Sequence, residues 1–171
     1  MVCGKESVMC GRFLNLEERE IFPSDLVEIE TIQGNMDKIW GVVNKYNNKT
    51  VINARGETVN ELTMFKYMKP CIIPATGYFE WDKDKKKYLF TKPDRSVIYM
   101  AGVYKEDRFV IITTEAYEQF MSIHHRMPYI ISIADIPAWL KDRRLLNRRE
   151  EYIYKRAKGG RNKGQISGSE S

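Results

Sequence analysis

Four short stretches bring together residue types that can do chemistry. The first is Met9-Cys10-Gly11-Arg12-Phe13. A cysteine with a free α-amine carries two nucleophiles on adjacent carbons, with ordinary pKa values of about 7.7 to 8.0 for the amine and about 8.5 for the thiol. The amine attacks an aldehyde to give a Schiff base, and the thiol then closes on the same carbon to form a five-membered thiazolidine ring. An internal cysteine cannot do this, because its nitrogen is an amide. The plainer account of Cys10 is a buried structural thiol, the common fate of free cysteine.

The second stretch, Ile52-Asn53-Ala54-Arg55-Gly56-Glu57-Thr58, reads as a strand end running into a helix start. An amide, a guanidinium and backbone N–H groups can face an anion there, although Asn53 and Thr58 can equally serve as turn caps. In the third, residues 71–81, an apolar run turns at Pro74 and Gly77 and returns as a strand. Alternation puts Tyr78 and Glu80 on one face of it and Phe79 and Trp81 on the other. Among large aromatics Glu80 would lose water, which favours its neutral form and suits it to proton transfer; on an open sheet face it would do nothing special. The fourth, Ile123-His124-His125-Arg126-Met127-Pro128, holds both histidines of the chain. An imidazole beside a guanidinium in a loop suits proton transfer next to a bound phosphate, and histidines also collect in loops without purpose.

The elements that would position these groups are mostly strands. Runs rich in β-branched and aromatic residues recur at 38–43, 49–53, 71–81, 87–91, 97–104, 109–114 and 129–133. Compact polar turns join several of them, which argues for antiparallel hairpins. Helical spacing is visible at residues 57–68 through Leu62, Phe65 and Met68, at 115–123 through Tyr117, Phe120 and Met121, and at 135–146 behind Asp135 and Pro137. The expected class is α+β, a curved, barrel-like antiparallel sheet with surrounding helices.

The 171 residues are enough for one domain with its own core. The boundaries read as an N-terminal extension at 1–8, a domain at 9–154 and a basic, Gly- and Ser-rich disordered tail at 155–171. Cys3, Cys10 and Cys71 cannot all pair, and their spacing is not that of a zinc site, so neither a structural disulfide nor a metal is expected. No run is apolar enough to span a membrane and the N-terminus lacks a signal-peptide core, which makes a cytoplasmic protein the expectation. The net charge of +5 is unevenly spread: Lys155, Arg156, Lys158, Arg161 and Lys163 against Glu170 carry all but one unit. Bulk charge is therefore weak evidence for a nucleic-acid partner.

In this order, Met9–Phe13, Trp40-Gly41, Asn53–Thr58, Cys71–Trp81 and Ile123–Pro128 resemble the SOS response-associated peptidase (SRAP) family. The resemblance spans roughly residues 9–133 and implies that fold. It also implies covalent capture of abasic sites in single-stranded DNA as a thiazolidine, by a cysteine exposed when the residue before it is removed. Carried over, Cys10 supplies both nucleophiles, Asn53 holds the sugar or the N-terminus, Glu80 shuttles protons and His124 is the neighbouring acid or base. Arg12, Arg55 and Arg126 match phosphate-binding positions. Trp40 and Trp81 would pack on unstacked bases or support the site. The implied enzyme is a monomer that uses no cofactor and no metal, with peptidase or lyase-like chemistry and self-processing.

Two features depart from the pattern: no Tyr-Asn-x-Ala-Pro segment lies between Phe13 and Trp40, and eight residues precede Met9. Translation starting at Met9, removal of the extension after synthesis, and a chain inactive in crosslinking are the three accounts of the extension; the first is preferred, because Met is removed before small residues such as Cys. Two other classes remain. A non-covalent module for single-stranded nucleic acid would ignore the lesion, and a thiol hydrolase using Cys10 and His124 would work with its α-amine blocked.

Overall fold

The computed structural model describes residues 11–146 and the backbone of Lys155–Lys158. Cys10 and the N-terminal extension lie outside the described residues, as does the tail beyond Lys158. The strands, in chain order, are β1 (Arg12–Leu14), β2 (Glu20–Ile21), β3 (Leu26–Thr31), β4 (Gly34–Trp40), β5 (Val42–Val43), β6 (Thr50–Val51) and β7 (Asn53–Arg55). They continue as β8 (Lys69–Ala75), β9 (Gly77–Trp81), β10 (Lys87–Thr91), β11 (Ile98–Lys105), β12 (Arg108–Glu115), β13 (Arg126–Pro128) and β14 (Lys155–Lys158), with one α-helix, α1 (Ile136–Asp142).

Strand burial follows the sequence pattern. In β3, Val27, Ile29 and Thr31 are buried while Leu26 and Glu28 between them are exposed, the period of two of a half-covered strand. The interiors of β11 and β12 are buried almost continuously, because both of their faces are covered. One face carries Met100, Phe109 and Ile111 into a core shared with Phe13, Tyr78 and Phe90; the other packs Ala101, Val103, Val110 and Ile112 against Val59, Phe65, Met68 and Trp139. Burying such a side chain stabilises the fold by roughly 1.5–3 kcal/mol.

Strands β8, β3, β4, β12 and β11 pair in turn, and β11 pairs β8 again, so this sheet closes on itself as a ring. A second sheet runs β14-β10-β9-β1-β2. Between β8 and β9 the chain crosses from ring to second sheet through a single residue, Thr76. Gly77 is required there: a Cβ would stand 2.8 Å from the Phe90 carbonyl oxygen. Pairing is antiparallel except that β12 runs parallel to both β4 and β7, an exception to the all-hairpin expectation. Residues 129–133 do not form the strand expected. Past Gly102 and Ile111 the β11–β12 ladder opens, and Tyr129–Ile131 wedge between them, with Tyr129 N–H donating to Ile112 O, and Ala101 and Ile131 N–H donating to Tyr129 O and Tyr99 O, each at 2.8 Å.

All three expected helices are shorter or looser than their periodicity suggests, α1 covering only Ile136–Asp142 of the expected 135–146. Residues 56–68 are a succession of turns, and 115–123 hold only a 3-10 helix at Glu118–Phe120. The first is tied down from outside: the Arg143 guanidinium donates to the carbonyls of Val59, Phe65, Lys66 and Met68. Arg143 itself ends α1 in the left-handed conformation, φ 52°. Asp135 does sit at the N-cap of α1, but its carboxylate accepts from Ser132 Oγ (3.0 Å) instead of capping. Lys155–Lys158, placed in the tail by composition, pair as β14 along β10. No helix among the described residues is long and apolar enough to cross a membrane.

Candidate active site

Asn53 and Arg55 stand on β7 because Trp40 and Gly41 set that strand's position. The Trp40 ring is fully buried, 5.1 Å from Phe13 and 6.5 Å from Phe109, centroid to centroid. Its Nε1–H donates to the carbonyl of Ile52 (3.1 Å), which also accepts the N–H of Ile111 (3.0 Å), so the residue before Asn53 is pinned from two sides. Trp40 therefore supports the site from the core and cannot stack on a base. Gly41 follows at φ +115°, where a Cβ would lie 2.7 Å from Thr50 Cγ2; the turn into the β5–β6 hairpin, and hence to β7, needs glycine here.

Strand β12 has β7 on one side and β13 on the other, which brings two of the motifs together. Thr113 pairs with Arg55 and with Pro128, and Glu115 pairs with Arg126. Arg126 is 4% exposed and reaches across β12. Its guanidinium makes a bidentate pair with Glu57, Nη1 to Oε1 at 3.0 Å and Nη2 to Oε2 at 2.8 Å, and Nη2 donates also to Thr113 O and Oγ1 at 3.1 and 3.2 Å. That partner holds the Glu57 carboxyl below the usual carboxylate range. An anion at Arg126 has to compete with Glu57, whereas Arg55 is exposed. A cleft of about 600 Å³ opens here, lined by Arg55, Glu57, Glu115, Arg126 and Tyr129 among others.

His124 is half-buried beside this cluster. Its Nδ1 accepts the backbone N–H of Arg126 (3.2 Å), which leaves the proton of the neutral ring on Nε2. Burial, then the neighbouring His125 and Arg126, lower its pKa from the ordinary histidine value. The two imidazoles stack at 4.8 Å.

Glu80 belongs to the second sheet. It is 2% exposed, so the expectation of a desolvated carboxyl holds, and it shares a face of β9 with Tyr78. Tyr78 stacks on Phe90 (5.0 Å), and Phe90 meets the edge of Phe120 (5.0 Å). This aromatic bridge docks the loop that leads to His124 against the face from which Glu80 projects. Strand β1 lies alongside: Arg12 pairs with Phe79, and Cys10 stands two residues before Arg12 in the chain.

Arg12 and Trp81 occupy the opposite, outer face. The Arg12 guanidinium lies over the rings of Phe22 (4.4 Å) and Trp81 (5.2 Å), and Lys87 Nζ lies over Phe79 (4.2 Å) and Trp81 (5.8 Å). Glu20 bridges both cations, at 3.4 and 2.6 Å. Phe22, Lys87, Glu20 and Glu57 were not singled out from the sequence. The hairpin register that sets Lys87 opposite Trp81 would have found one of them, since Asp82 closes that turn by accepting the N–H groups of Asp84 and Lys86. Among the described residues no cluster of three or more His, Cys, Asp or Glu could hold a metal.

Comparison with known proteins gives the family and the fold. The family model described as SOS response associated peptidase (SRAP) matches residues 29–162, a span that begins after β1 and Cys10. The chain is 35% identical over 106 residues to the abasic site processing protein YoaM of Bacillus subtilis, covering 53% of this chain and 47% of that one. It is 32% identical over 117 residues to the abasic site processing protein YedK of Escherichia coli, covering 60% and 53%. The chain thus spans about half the length of the curated relatives it matches. Crystal structures of proteins from Bacteroides thetaiotaomicron (TM-score 0.70, 22% identity, 86% of this chain and 80% of that one) and Bordetella bronchiseptica (TM-score 0.73, 18%, 88% and 100%) share the fold. With the family model matched over most of its length and the motif residues gathered around β7, β9 and β12, this chain belongs to the SRAP family.

Proposed function

We propose that this protein captures abasic sites in single-stranded DNA covalently through Cys10, once the residues before it are gone. The observation that carries the reading is the juxtaposition of β1, which follows Cys10, with the strand bearing the buried Glu80, and the aromatic docking of the His124 loop on that same face. The curated relatives named as abasic site processing proteins support it. The Cys10 amine adds to the aldehyde of the ring-opened sugar, the carbinolamine loses one water, and the thiol adds to the carbon of the resulting imine while its proton passes to the imine nitrogen. Each step needs a proton delivered or removed, and a desolvated carboxyl and a neutral imidazole are suited to both directions. Glu80 shuttles protons through ring opening and imine formation, and His124 is the second acid or base. Asn53 orients the sugar or the α-amine. Arg12, Arg55 and, after rearrangement, Arg126 hold the phosphates; Trp81, with a cation on it, offers a base a stacking surface. Cleavage of the Met9–Cys10 bond with Glu80 as base is a self-processing route to the free amine.

The test is the intact mass of the full chain, and of a chain beginning at Met9, before and after incubation with a single-stranded oligonucleotide bearing one abasic site. The expected adduct equals protein beginning at Cys10 plus oligonucleotide less one water, and is lost on Cys10→Ala or when the α-amine is acetylated. Salt-sensitive binding that ignores the lesion, with no adduct from either chain, would leave a non-covalent binding module instead.

A further inference from the structure

The Arg126–Glu57 pair and the Arg126–His124 hydrogen bond share one residue, and their combination has a consequence for the imidazole. Arg126 is held from two directions by its guanidinium, to Glu57 in the turn after β7 and to Thr113 on β12, and is almost wholly buried. A buried guanidinium that loses its bidentate ion-pair partner draws in water or shifts toward it, and its backbone shifts too. That backbone N–H is the donor to His124 Nδ1 (3.2 Å). On its other side the backbone of the loop is anchored by His124 N–H to Phe120 O (3.2 Å), Ala116 N–H to His125 O (2.9 Å) and the packing of Ile123 in the core, and these three contacts leave the ring nitrogens of His124 untouched. His124 Nε2 is buried and meets no hydrogen-bond partner among the described residues, so nothing on that edge fixes the tautomer.

We infer that Glu57 is a positioning residue for His124: acting through Arg126, it keeps the imidazole as the Nε2–H tautomer with that N–H turned toward the site. The inference rests on the reading of His124 as a proton-transfer group of the proposed reaction. Glu57 lies at the cleft rim and touches neither the reacting atoms nor the imidazole. Its side chain is 49% exposed, and without Arg126 it would pass for a solvated surface carboxylate. Sixty-nine residues separate it from Arg126 in the chain.

The test reads the tautomer directly, without DNA. Protein labelled with 15N-histidine is examined through its ring nitrogen–proton correlations near pH 8. His124 in the wild type is expected to show a non-protonated Nδ1 and a protonated Nε2; finding the proton on Nδ1 overturns the proposal outright. In Glu57→Ala the two nitrogen resonances of His124 should move toward each other as the second tautomer gains population, while those of His125 stay in place. Glu57→Gln, which keeps one acceptor, should fall between, and it replaces the alanine variant if that one does not fold. His124 resonances unmoved in a folded variant would overturn the proposal. Abasic-site capture by Glu57→Ala should slow by about tenfold with binding of lesion-containing DNA retained. If wild-type protein makes no adduct the proposed function fails, yet the tautomer measurement still decides the role of Glu57.

Discussion

Burial decides which side chains can react. Cys71 is fully enclosed by the ring, and loss of water pushes its thiol pKa far above the ordinary cysteine value, so it is neither nucleophile nor ligand in the folded state. Alkylation by iodoacetamide at pH 8 should leave Cys71 unmodified while the protein is folded, at least about a thousandfold slower than in urea, as mass mapping of peptides would reveal. Rapid labelling of Cys71 in the native protein would contradict the packing described. His124 gives a complementary pH signature. Its folded pKa is lowered from about 6.5, so the unfolded chain takes up the proton first; the corresponding stability is present above about pH 6.5 and is lost as the pH falls toward the folded value. Between about pH 7.5 and 5.5, urea unfolding at fixed salt should show wild type losing more stability than His124→Gln. Equal losses would mean that the imidazole is as well solvated folded as unfolded. The motif residues themselves were legible in the sequence, since alternation alone put Glu80 with Tyr78 and apart from Trp81. Glu57 was not, because its partner becomes a neighbour only once β7 and β13 flank the same strand.

At the level of elements, apolar periodicity found the strands from β4 to β12, passed over β1, β2, β3 and β13, and overstated the helices. Leu62, Phe65 and Met68 have helical spacing, yet Leu62 is 48% exposed and only the other two are buried. Arg143 takes the Val59 carbonyl, which a helix would bond internally, and those of Phe65, Lys66 and Met68, which the last turn of a helix leaves open, an interaction across more than seventy residues that no local pattern announces. Residues 129–133 failed as a strand for a related reason: they complete a ladder that β11 and β12 leave open, so only a bridge at Ile130 registers. Trp40 illustrates the ambiguity of aromatics, since a tryptophan beside a motif reads the same whether it meets a base or the core. Here its indole fixes the start of β7, and the variant that separates the two roles is Trp40→Phe. It should lower stability by about 1–3 kcal/mol, from one lost hydrogen bond and the volume removed, with adduct formation per folded molecule unchanged within about twofold. Urea unfolding and the abasic-oligonucleotide assay measure the two quantities; a large loss of capture with little loss of stability would return Trp40 to the DNA surface.

For the molecule as a whole, charge matters by placement. Several cations among the described residues are already paired: Arg126 with Glu57, Arg95 with Glu18, and Arg12 and Lys87, which share Glu20. Arg55 is exposed and forms no ion pair among the described residues. Single-stranded DNA releases counterions in proportion to the protein charges that newly neutralise phosphates, about 0.7 in the slope of log K against log salt for each. Arg55→Ala should therefore reduce that slope by about 0.7 on an undamaged strand. Glu57→Gln should act in the opposite sense, because it frees the positive charge of Arg126 at the cleft rim. Its slope should steepen by about 0.7 and its affinity for undamaged DNA should rise at low salt, even as capture of the lesion slows. Fluorescence anisotropy titrations over a range of salt concentrations would measure both. A Glu57→Gln protein that binds more weakly than wild type would mean that the carboxylate serves the DNA contact itself, and the division between phosphate-binding Arg55 and imidazole-positioning Glu57–Arg126 would fall.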